Sequence, residues 1–207
     1  MRYLYIDTSS SYLYTAIVKD DCLVAEIKEN LGHKLSELAL TRIVSMFEQN
    51  KLKAQDIDKI IVVDGPGSFT GIRIGITIAK VYAWSLKIPI TTISALEAMA
   101  TSSNVDTYKV PLIDARRGYV FAGIFDKNNK IILEPQYIKQ ELLNNKLDDI
   151  GEFKIISKDN LKGYDKIEEY NPNILKIVDK FKDKNSVNPH SVNPNYLKLT
   201  EAEESKL

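Results

Sequence analysis

The first hundred residues alternate between strand-like and helix-like patterns of apolar side chains. Three short apolar runs separated by polar turns predict an antiparallel meander, at residues 3–6, 13–18 and 23–27. Residues 34–50 carry apolar side chains at helical spacing, and the continuous apolar run at residues 60–63 is typical of a strand buried on both faces. A helix over residues 72–86, a strand over residues 88–93 and a helix after Ser94 follow. This order predicts an α/β fold with a mixed sheet.

The second half of the chain has weaker patterns. Its predicted strands lie at residues 110–113, 119–125 and 131–133. We therefore predict an N-terminal lobe over residues 1–100 and a smaller second lobe over residues 101–207 that ends in a helical tail. Residues 200–203, T-E-A-E, have the spacing of a capping box and predict a last helical turn. Whether the tail packs on the first lobe or on a partner is open at this point.

The charge balance gives the chain no overall field. The 207 residues contain 28 Lys and Arg against 28 Asp and Glu. We therefore expect no general attraction to nucleic acid or to a membrane surface, so that an RNA contact would need a local patch or a partner. The single cysteine, Cys22, excludes an intrachain disulfide. The N-terminus lacks a signal-peptide pattern and the apolar stretch at residues 72–84 is too short for a bilayer, so we expect a cytoplasmic protein without a membrane contact.

Residues 64–75 read D-G-P-G-S-F-T-G-I-R-I-G and join a predicted strand to a predicted helix. This glycine loop does not fit the P-loop pattern, because no lysine follows Gly71, and it does not fit the dinucleotide pattern, because its last glycine comes one residue late. The backbone N–H groups at the helix start are still suited to an anion. The alternative is structural: Gly65 and Gly67 supply positive φ angles or close packing, and Ser68 caps the helix.

The helix after the glycine loop is apolar over more of its circumference than a surface helix needs. One face holds Ile72, Ile76, Ala79, Ala83 and Leu86, whereas Ile74, Ile78, Val81 and Tyr82 lie largely off that face. The helix over residues 34–50 shows the same excess of apolar side chains. We therefore predict that a partner buries a second side of both helices, with coverage by the second lobe as the alternative.

Side chains suited to catalysis or metal binding are sparse. His33 and His190 have no His, Cys or Glu at ligand spacing, so we predict no histidine metal site. Asp7 and Asp114 each end a predicted strand; they would hold Mg²⁺ through water if both faced one cleft, or they form turns through their own side chains. A basic cluster in the tail is interleaved with two aspartates and indicates a solvated helix face rather than an RNA contact: Lys176, Lys180, Lys182 and Lys184.

Four motifs occur in order along nearly the whole chain: I-D-T-S-S at residues 6–10, the glycine loop, D-A-R-R-G-Y at residues 114–119 and N-P-N-Y-L-K at residues 193–198. In these motifs the chain resembles the bacterial TsaB family, also called YeaZ. The resemblance implies an actin-like, Hsp70-like ATPase fold of two lobes, each with a mixed sheet and helices, and with the second lobe reduced. It also implies a part in forming threonylcarbamoyladenosine next to the anticodon of tRNAs that read codons beginning with A.

The same resemblance implies a non-catalytic subunit. In that family the catalytic paralogue, TsaD, carries the metal chemistry, an ATPase, TsaE, joins the complex, and the TsaB-like chain needs no cofactor of its own. TsaB-like chains are expected to pair with TsaD, or with themselves when alone, through the first two helices. They are expected to meet tRNA only indirectly, through the complex. A stand-alone ATPase or a glycoprotease-like enzyme is the alternative.

Two sets of site residues follow from the resemblance and the helix pattern. The expected partner interface consists of Leu35, Leu38, Arg42, Met46, Phe47, Ile72, Arg73, Ile76, Lys80 and Ala83. A vestigial phosphate or nucleotide side is expected at Asp7, Thr8, Ser9, Gly65, Gly67 and Ser68. The residues after Asp7 read T-S-S, where actin-like ATPases place a phosphate-loop glycine, and this weakens the expectation of an autonomous ATPase.

Overall fold

The computed structural model describes residues 1–164 and 166–198, and the chain divides into two compact units. The first unit comprises Met1–Ala95 and Pro172–Asn195. The second unit comprises Leu96–Asn171 and, among the described residues, residues 196–198. The capping box predicted at residues 200–203 lies outside the described residues.

The sheet of the first unit has five strands in the order β3-β2-β1-β4-β5. Its strands are β1 Arg2–Asp7, β2 Tyr12–Lys19, β3 Cys22–Asn30, β4 Lys59–Gly65 and β5 Ile90–Ser94. The first three strands form the predicted antiparallel meander, and β4 and β5 add in parallel on the other side of β1. Burial along β4 agrees with the continuous apolar run that predicted a central strand.

Two long helices and one short helix complete the first unit. They are α1 Leu35–Gln49, α2 Phe69–Leu86 and α5 Ile174–Phe181. The helices α3 and α4 lie between α2 and α5 in the chain and are described with the second unit. One apolar core joins α1 and α2 to the sheet, with Ala39 and Ile43 from α1 and Ile72 and Ile76 from α2. In each pair the residues are four apart, which places both side chains on the same face of the helix.

The second unit is built on another five-stranded mixed sheet. Its elements are α3 Ala95–Ser102, β6 Tyr108–Asp114, β7 Tyr119–Phe125, β8 Ile131–Lys139, α4 Gln140–Leu147, β9 Phe153–Ser157 and β10 Ile167–Glu169. The strand order is β10-β9-β6-β7-β8, with β6, β9 and β10 parallel and β7 and β8 antiparallel to their neighbours. Val120 and Ala122 on one face of β7 meet Leu143 and Leu147 of α4 in its core.

The two mixed sheets with their helices confirm the predicted α/β fold of two lobes. Neither α4 nor the strands β9 and β10 were predicted, because their short apolar runs are broken by Lys, Asn and Asp. No helix among residues 1–164 and 166–198 is both long and apolar enough to cross a membrane.

The division of the chain into two units differs from the predicted one, in which the second lobe runs from residue 101 to residue 207. The chain returns to the first unit at Pro172, and α5 packs its apolar face against β1 and β2. The segment after α5 is held by the buried Lys59, whose Nζ donates to the carbonyls of Lys182 at 2.8 Å and Lys184 at 2.7 Å. Burial lowers the pKa of the Lys59 ammonium.

Candidate functional site

The glycine loop turns the chain sharply from β4 into α2. Gly65 and Gly67 have φ angles of 124° and 153°, a region that favours glycine, and the Gly65–Pro66 peptide bond is cis. Ser68 is the N-cap of α2, and its Oγ accepts a hydrogen bond from the Gly71 N–H at 3.2 Å. The structural interpretation of this loop, with positive φ angles and a serine cap, is confirmed.

The start of α2 lies directly against the turn that follows β1. The Ser68 N–H donates to the Ser9 carbonyl at 2.7 Å, and the Thr8 hydroxyl donates to the Gly71 carbonyl at 2.7 Å. A Cβ at Gly67 would collide with the Ser9 carbonyl oxygen, and a Cβ at Gly71 would collide with the Thr8 carbonyl oxygen. Glycine is needed at both positions because backbone approaches backbone there without room for a side chain.

The buried carboxylate of Asp7 shapes the turn after β1. One of its oxygens accepts a hydrogen bond from the Ser9 N–H at 2.8 Å, and the Tyr5 hydroxyl lies 3.4 Å from the other. This is the turn-forming role that was the alternative to a Mg²⁺ site. The six residues of the expected phosphate side thus lie together where β1 and β4 end.

The N–H groups at the start of α2 are partly engaged within the protein. Those of Ser68, Gly71 and Ile72 donate to the Ser9 carbonyl, the Ser68 Oγ and the Ser68 carbonyl. Phosphate or nucleotide binding at the glycine loop stays a prediction.

Asn195 contributes a contact to the glycine loop that sequence reasoning missed. Its N–H donates to the Asp64 carbonyl at 2.8 Å, and a Cβ at Gly65 would collide with the Asn195 carbonyl oxygen. The sequence feature that contains Asn195 is the N-P-N-Y-L-K motif, from which only the family resemblance was inferred. The motif ends the first unit by closing over the loop.

Six of the ten expected interface residues are buried in the core of the first unit, and this corrects the prediction. They are Leu35, Met46, Phe47, Ile72, Ile76 and Ala83. Ile76, for example, is 4% exposed. A side chain that already packs on its own sheet has no surface left to offer a partner.

The sequence held a signal for the buried face of α2. Small residues recur every four positions at Gly71, Gly75, Ala79 and Ala83, and all four are buried. Small side chains let a helix approach the backbone beneath it most closely, so this stripe marks the side that faces the sheet. Of the second apolar stripe, Val81 is exposed, whereas Ile74, Ile78 and Tyr82 are half-buried at the edge of the core.

The outward sides of α1 and α2 form a continuous, largely apolar surface. A groove of about 430 Å³ between them is lined by Ser36, Leu40, Phe69, Thr70, Arg73, Ile74, Thr77 and Ile78. Val44, Val81 and Trp84 extend this lining along the same helices at three- and four-residue spacing, and all three are exposed. We call these eleven residues the α1–α2 surface.

The charged residues predicted for the interface have contacts within the chain. Arg42 forms a bidentate ion pair with Glu29, in which its Nε and Nη2 donate to the two carboxylate oxygens at 2.8 and 3.0 Å. The Lys80 Nζ donates to the carbonyls of Val192 at 2.8 Å and His190 at 3.2 Å, and so holds the returning segment on α2.

Arg73 and Leu38 are the two remaining residues of the expected interface. The Arg73 guanidinium carbon lies 3.8 Å from the centroid of the Phe69 ring, within the α1–α2 surface. Leu38 is half-buried and packs against the core.

The remaining candidate residues are two aspartates and the lysines of the tail. Asp114 lies in the second unit, where it is exposed and accepts the Arg116 N–H at 2.8 Å, whereas Asp7 lies in the first unit. Lys182 of the basic tail forms ion pairs with Asp21 and Asp179. The described part of the chain contains no group of three or more His, Cys, Asp or Glu side chains arranged for a metal ion.

Comparison with known proteins decides the family. The tRNA threonylcarbamoyladenosine biosynthesis protein TsaB of Bacillus subtilis (strain 168) is 33% identical over 221 residues, covering 98% of this chain and 96% of the relative. The chain belongs to the TsaB family. TsaB of Escherichia coli (strain K12) is 27% identical over 154 residues, which cover 69% of this chain and 66% of that protein.

A family model described as TsaD: tRNA N6-adenosine threonylcarbamoyltransferase matches residues 29–169. The match includes α1, the glycine loop and α2, so this chain shares these elements with a transferase model.

Solved TsaB-like structures have the same fold. YeaZ from Pseudomonas aeruginosa superposes with a TM-score of 0.74 at 16% identity, over 95% of this chain and 99% of the other. A second structure, an uncharacterized protein with similarity to peptidase YEAZ from the same species, has a TM-score of 0.81 at 18% identity with the same coverage.

Proposed function

We propose that this chain takes part in the biosynthesis of threonylcarbamoyladenosine in tRNA, as a non-catalytic subunit that pairs with a TsaD-type transferase. Family membership supports the pathway, because the full-length relative in Bacillus subtilis is named for it. The observation that carries the subunit role is the α1–α2 surface. The large apolar side chains that it exposes are Leu40, Val44, Phe69, Val81 and Trp84.

The physical argument is the cost of leaving this surface in water. Scattered apolar side chains are ordinary on a protein surface, but a continuous apolar patch along two adjacent helices is typical of a protein interface. Trp84 is 62% exposed, and Trp is among the residues that contribute most when an interface buries them. A second pair of helices laid across α1 and α2 would bury the groove and its extension together.

The proposal divides the work among proteins. The TsaD-type partner carries the metal and the transfer chemistry, a TsaE-like ATPase joins the complex, and this chain requires no cofactor. In the absence of TsaD the same surface pairs two copies of this chain. The complex acts on tRNA in the cytoplasm.

The glycine loop supports a role without nucleotide turnover. Direct hydrogen bonds join Ser68 to Ser9 and Thr8 to Gly71. The turn after β1 and the start of α2 therefore contact each other directly and are not separated by a gap. This favours the subunit role over a stand-alone ATPase.

Charge substitutions on the α1–α2 surface test the subunit role. Val81 is 59% and Leu40 is 57% exposed, so Val81→Glu and Leu40→Glu leave the fold intact. In a helix–helix interface each new carboxylate would be buried without a partner, at a cost of at least about 3 kcal/mol, which is more than a hundredfold in Kd. We expect both variants to lose co-elution with the TsaD-type protein of the same organism and to lose modification activity in reconstitution.

Leu142→Glu is the matched control. Leu142 is 52% exposed and lies on α4 of the second unit, outside the α1–α2 surface as defined, so co-elution should stay at the wild-type level. Ile76→Glu is unsuitable, because a buried carboxylate at this core position would unfold the first unit. Wild-type co-elution of both Val81→Glu and Leu40→Glu would refute the proposed interface.

A further inference from the structure

Three aromatic side chains lie on the β7–β8 hairpin of the second unit, on the face opposite to its core. The strand register places Tyr119 beside Lys139 and Phe121 beside Tyr137, so these four side chains share one face of the sheet. Val120, between the first pair and the second, points the other way into the core. One face of the hairpin therefore packs into the core of the second unit, and the opposite face carries the aromatic side chains.

The aromatic side chains are ordered against one another. The rings of Tyr119 and Tyr137 are stacked, with centroids 4.6 Å apart and an interplanar angle of 6°. The Phe121 ring is tilted by 49° against Tyr137, at 5.6 Å. All three side chains are half-buried, so each still offers ring surface to solvent from a rigid pair of strands.

Two lysines lie over this stack. The Lys139 Nζ is 5.9 Å from the centroid of Tyr119, and the Lys198 Nζ is 5.3 Å from the centroid of Tyr137. Lys198 comes from the N-P-N-Y-L-K motif and belongs, like Tyr137, to the second unit.

Two exposed arginines extend the positive charge into the turn before β7. Arg116 and Arg117 have φ angles of 67° and 55°, and the Tyr119 N–H donates to the Arg116 carbonyl at 3.0 Å. The carboxylate in the same turn, Asp114, accepts the Arg116 N–H. A second carboxylate, Asp159, accepts the Asp114 N–H at 2.7 Å. The four cations Arg116, Arg117, Lys139 and Lys198 outnumber these two carboxylates.

We propose that this β7–β8 surface, formed by Arg116, Arg117, Tyr119, Phe121, Tyr137, Lys139 and Lys198, binds an RNA segment with unpaired bases. Stacked aromatic rings accept bases, and lysine and arginine side chains around them neutralise the phosphates between those bases. A loop of tRNA has this chemistry, and the choice of tRNA rests on the proposed function. The inference replaces the expectation that the chain meets tRNA only through its complex.

Binding of tRNA to the full-length wild-type chain, measured by fluorescence anisotropy over a series of salt concentrations, tests the inference. Lys139→Gln combined with Lys198→Gln should weaken binding about tenfold at low salt. It should also reduce the slope of log K against log salt by about 1.4, since each phosphate contact on a single strand contributes about 0.7. Tyr137→Leu should weaken binding about tenfold with an unchanged slope, because it removes stacking but no charge.

Lys127→Gln is the control for lost charge. Lys127 is exposed in the turn at the far end of the same hairpin, where it pairs with Asp106, and its removal should change neither affinity nor slope. The inference is overturned if wild-type chain does not bind tRNA, or if the double lysine variant and Lys127→Gln behave alike. Failure of the wild-type chain to co-elute with the TsaD-type protein would refute the subunit role and leave RNA binding by the second unit standing.

Discussion

Replacing Gly75 by alanine tests how closely α2 is packed on the turn after β1. A Cβ at this position would collide with the Thr8 Oγ1, while its other neighbours, Ile6 Cγ2 and Thr8 Cβ, lie at an ordinary 3.6 Å. The Thr8 hydroxyl cannot simply rotate away, because it donates a buried hydrogen bond to the Gly71 carbonyl. The collision therefore has one identified cause, which a second substitution can remove.

The expected magnitude follows from two opposing effects. Overpacking a tight contact costs about 1–3 kcal/mol, and alanine in a helix interior is better than glycine by about 0.5–1 kcal/mol. Gly75→Ala in the wild-type background should therefore destabilise the protein by about 1–2 kcal/mol. In a Thr8→Ala background only the helix preference remains, so the same change should stabilise by about 0.5–1 kcal/mol. The coupling between the two sites is then about 2 kcal/mol.

Urea unfolding followed by far-ultraviolet circular dichroism measures the four free energies of this cycle. Gly71→Ala is the matched control: its Cβ would meet the Thr8 carbonyl oxygen, which Thr8→Ala leaves in place, so it should destabilise both backgrounds alike. Additive effects of Gly75→Ala and Thr8→Ala, within about 0.5 kcal/mol, would refute the close packing described for α2.

Two further predictions concern side chains whose contacts lie within the first unit. Lys80→Met should destabilise the chain by about 1–2 kcal/mol in urea, because it removes a charged donor from the carbonyls of His190 and Val192, and should leave TsaD co-elution unchanged; a loss of co-elution at unchanged stability would contradict it. Tyr82→Phe removes a hydrogen bond to the Ala54 carbonyl and should cost about 1 kcal/mol at pH 8. Burial raises the pKa of the Tyr82 hydroxyl. The stability that this hydroxyl provides is therefore complete below the unfolded pKa of about 10 and is lost as the pH rises further. The difference in unfolding free energy between wild type and variant should shrink above pH 10, and a constant difference would contradict this.

Local patterns were sufficient for the strands and the two long helices of the first unit. The meander, the central strand and both long helices were predicted from alternation and helical spacing, because each element buries one side in a period set by its own backbone. The glycine loop was also readable, since positive φ angles and a helix cap are requirements of the residues themselves. Local patterns failed for α4, β9 and β10, where short apolar runs are broken by charged and amide side chains.

The orientation of α2 was decided by tertiary packing. Its sequence carries two apolar stripes, and both Ile76 and Val81 are equally suited to a core or to an interface by composition alone. The small residues Gly71, Gly75, Ala79 and Ala83 indicate the side that meets the sheet, and the packing of Gly71 and Gly75 against Thr8 establishes it. Ile76, which was predicted to contact a partner, therefore lies in the core, whereas Val81 is exposed.

By itself, the sequence determined the family motifs, the order of strands and helices in the first hundred residues, and the loop that connects β4 to α2. The tertiary structure alone decided that Pro172–Asn195 returns to the first unit and that Asn195 closes over Gly65. It also decided that Tyr119, Tyr137 and Lys198 meet on one face. The physical reason is that helical and strand periods depend on neighbours a few residues away, whereas burial and contact depend on chain segments that approach each other from tens of residues apart.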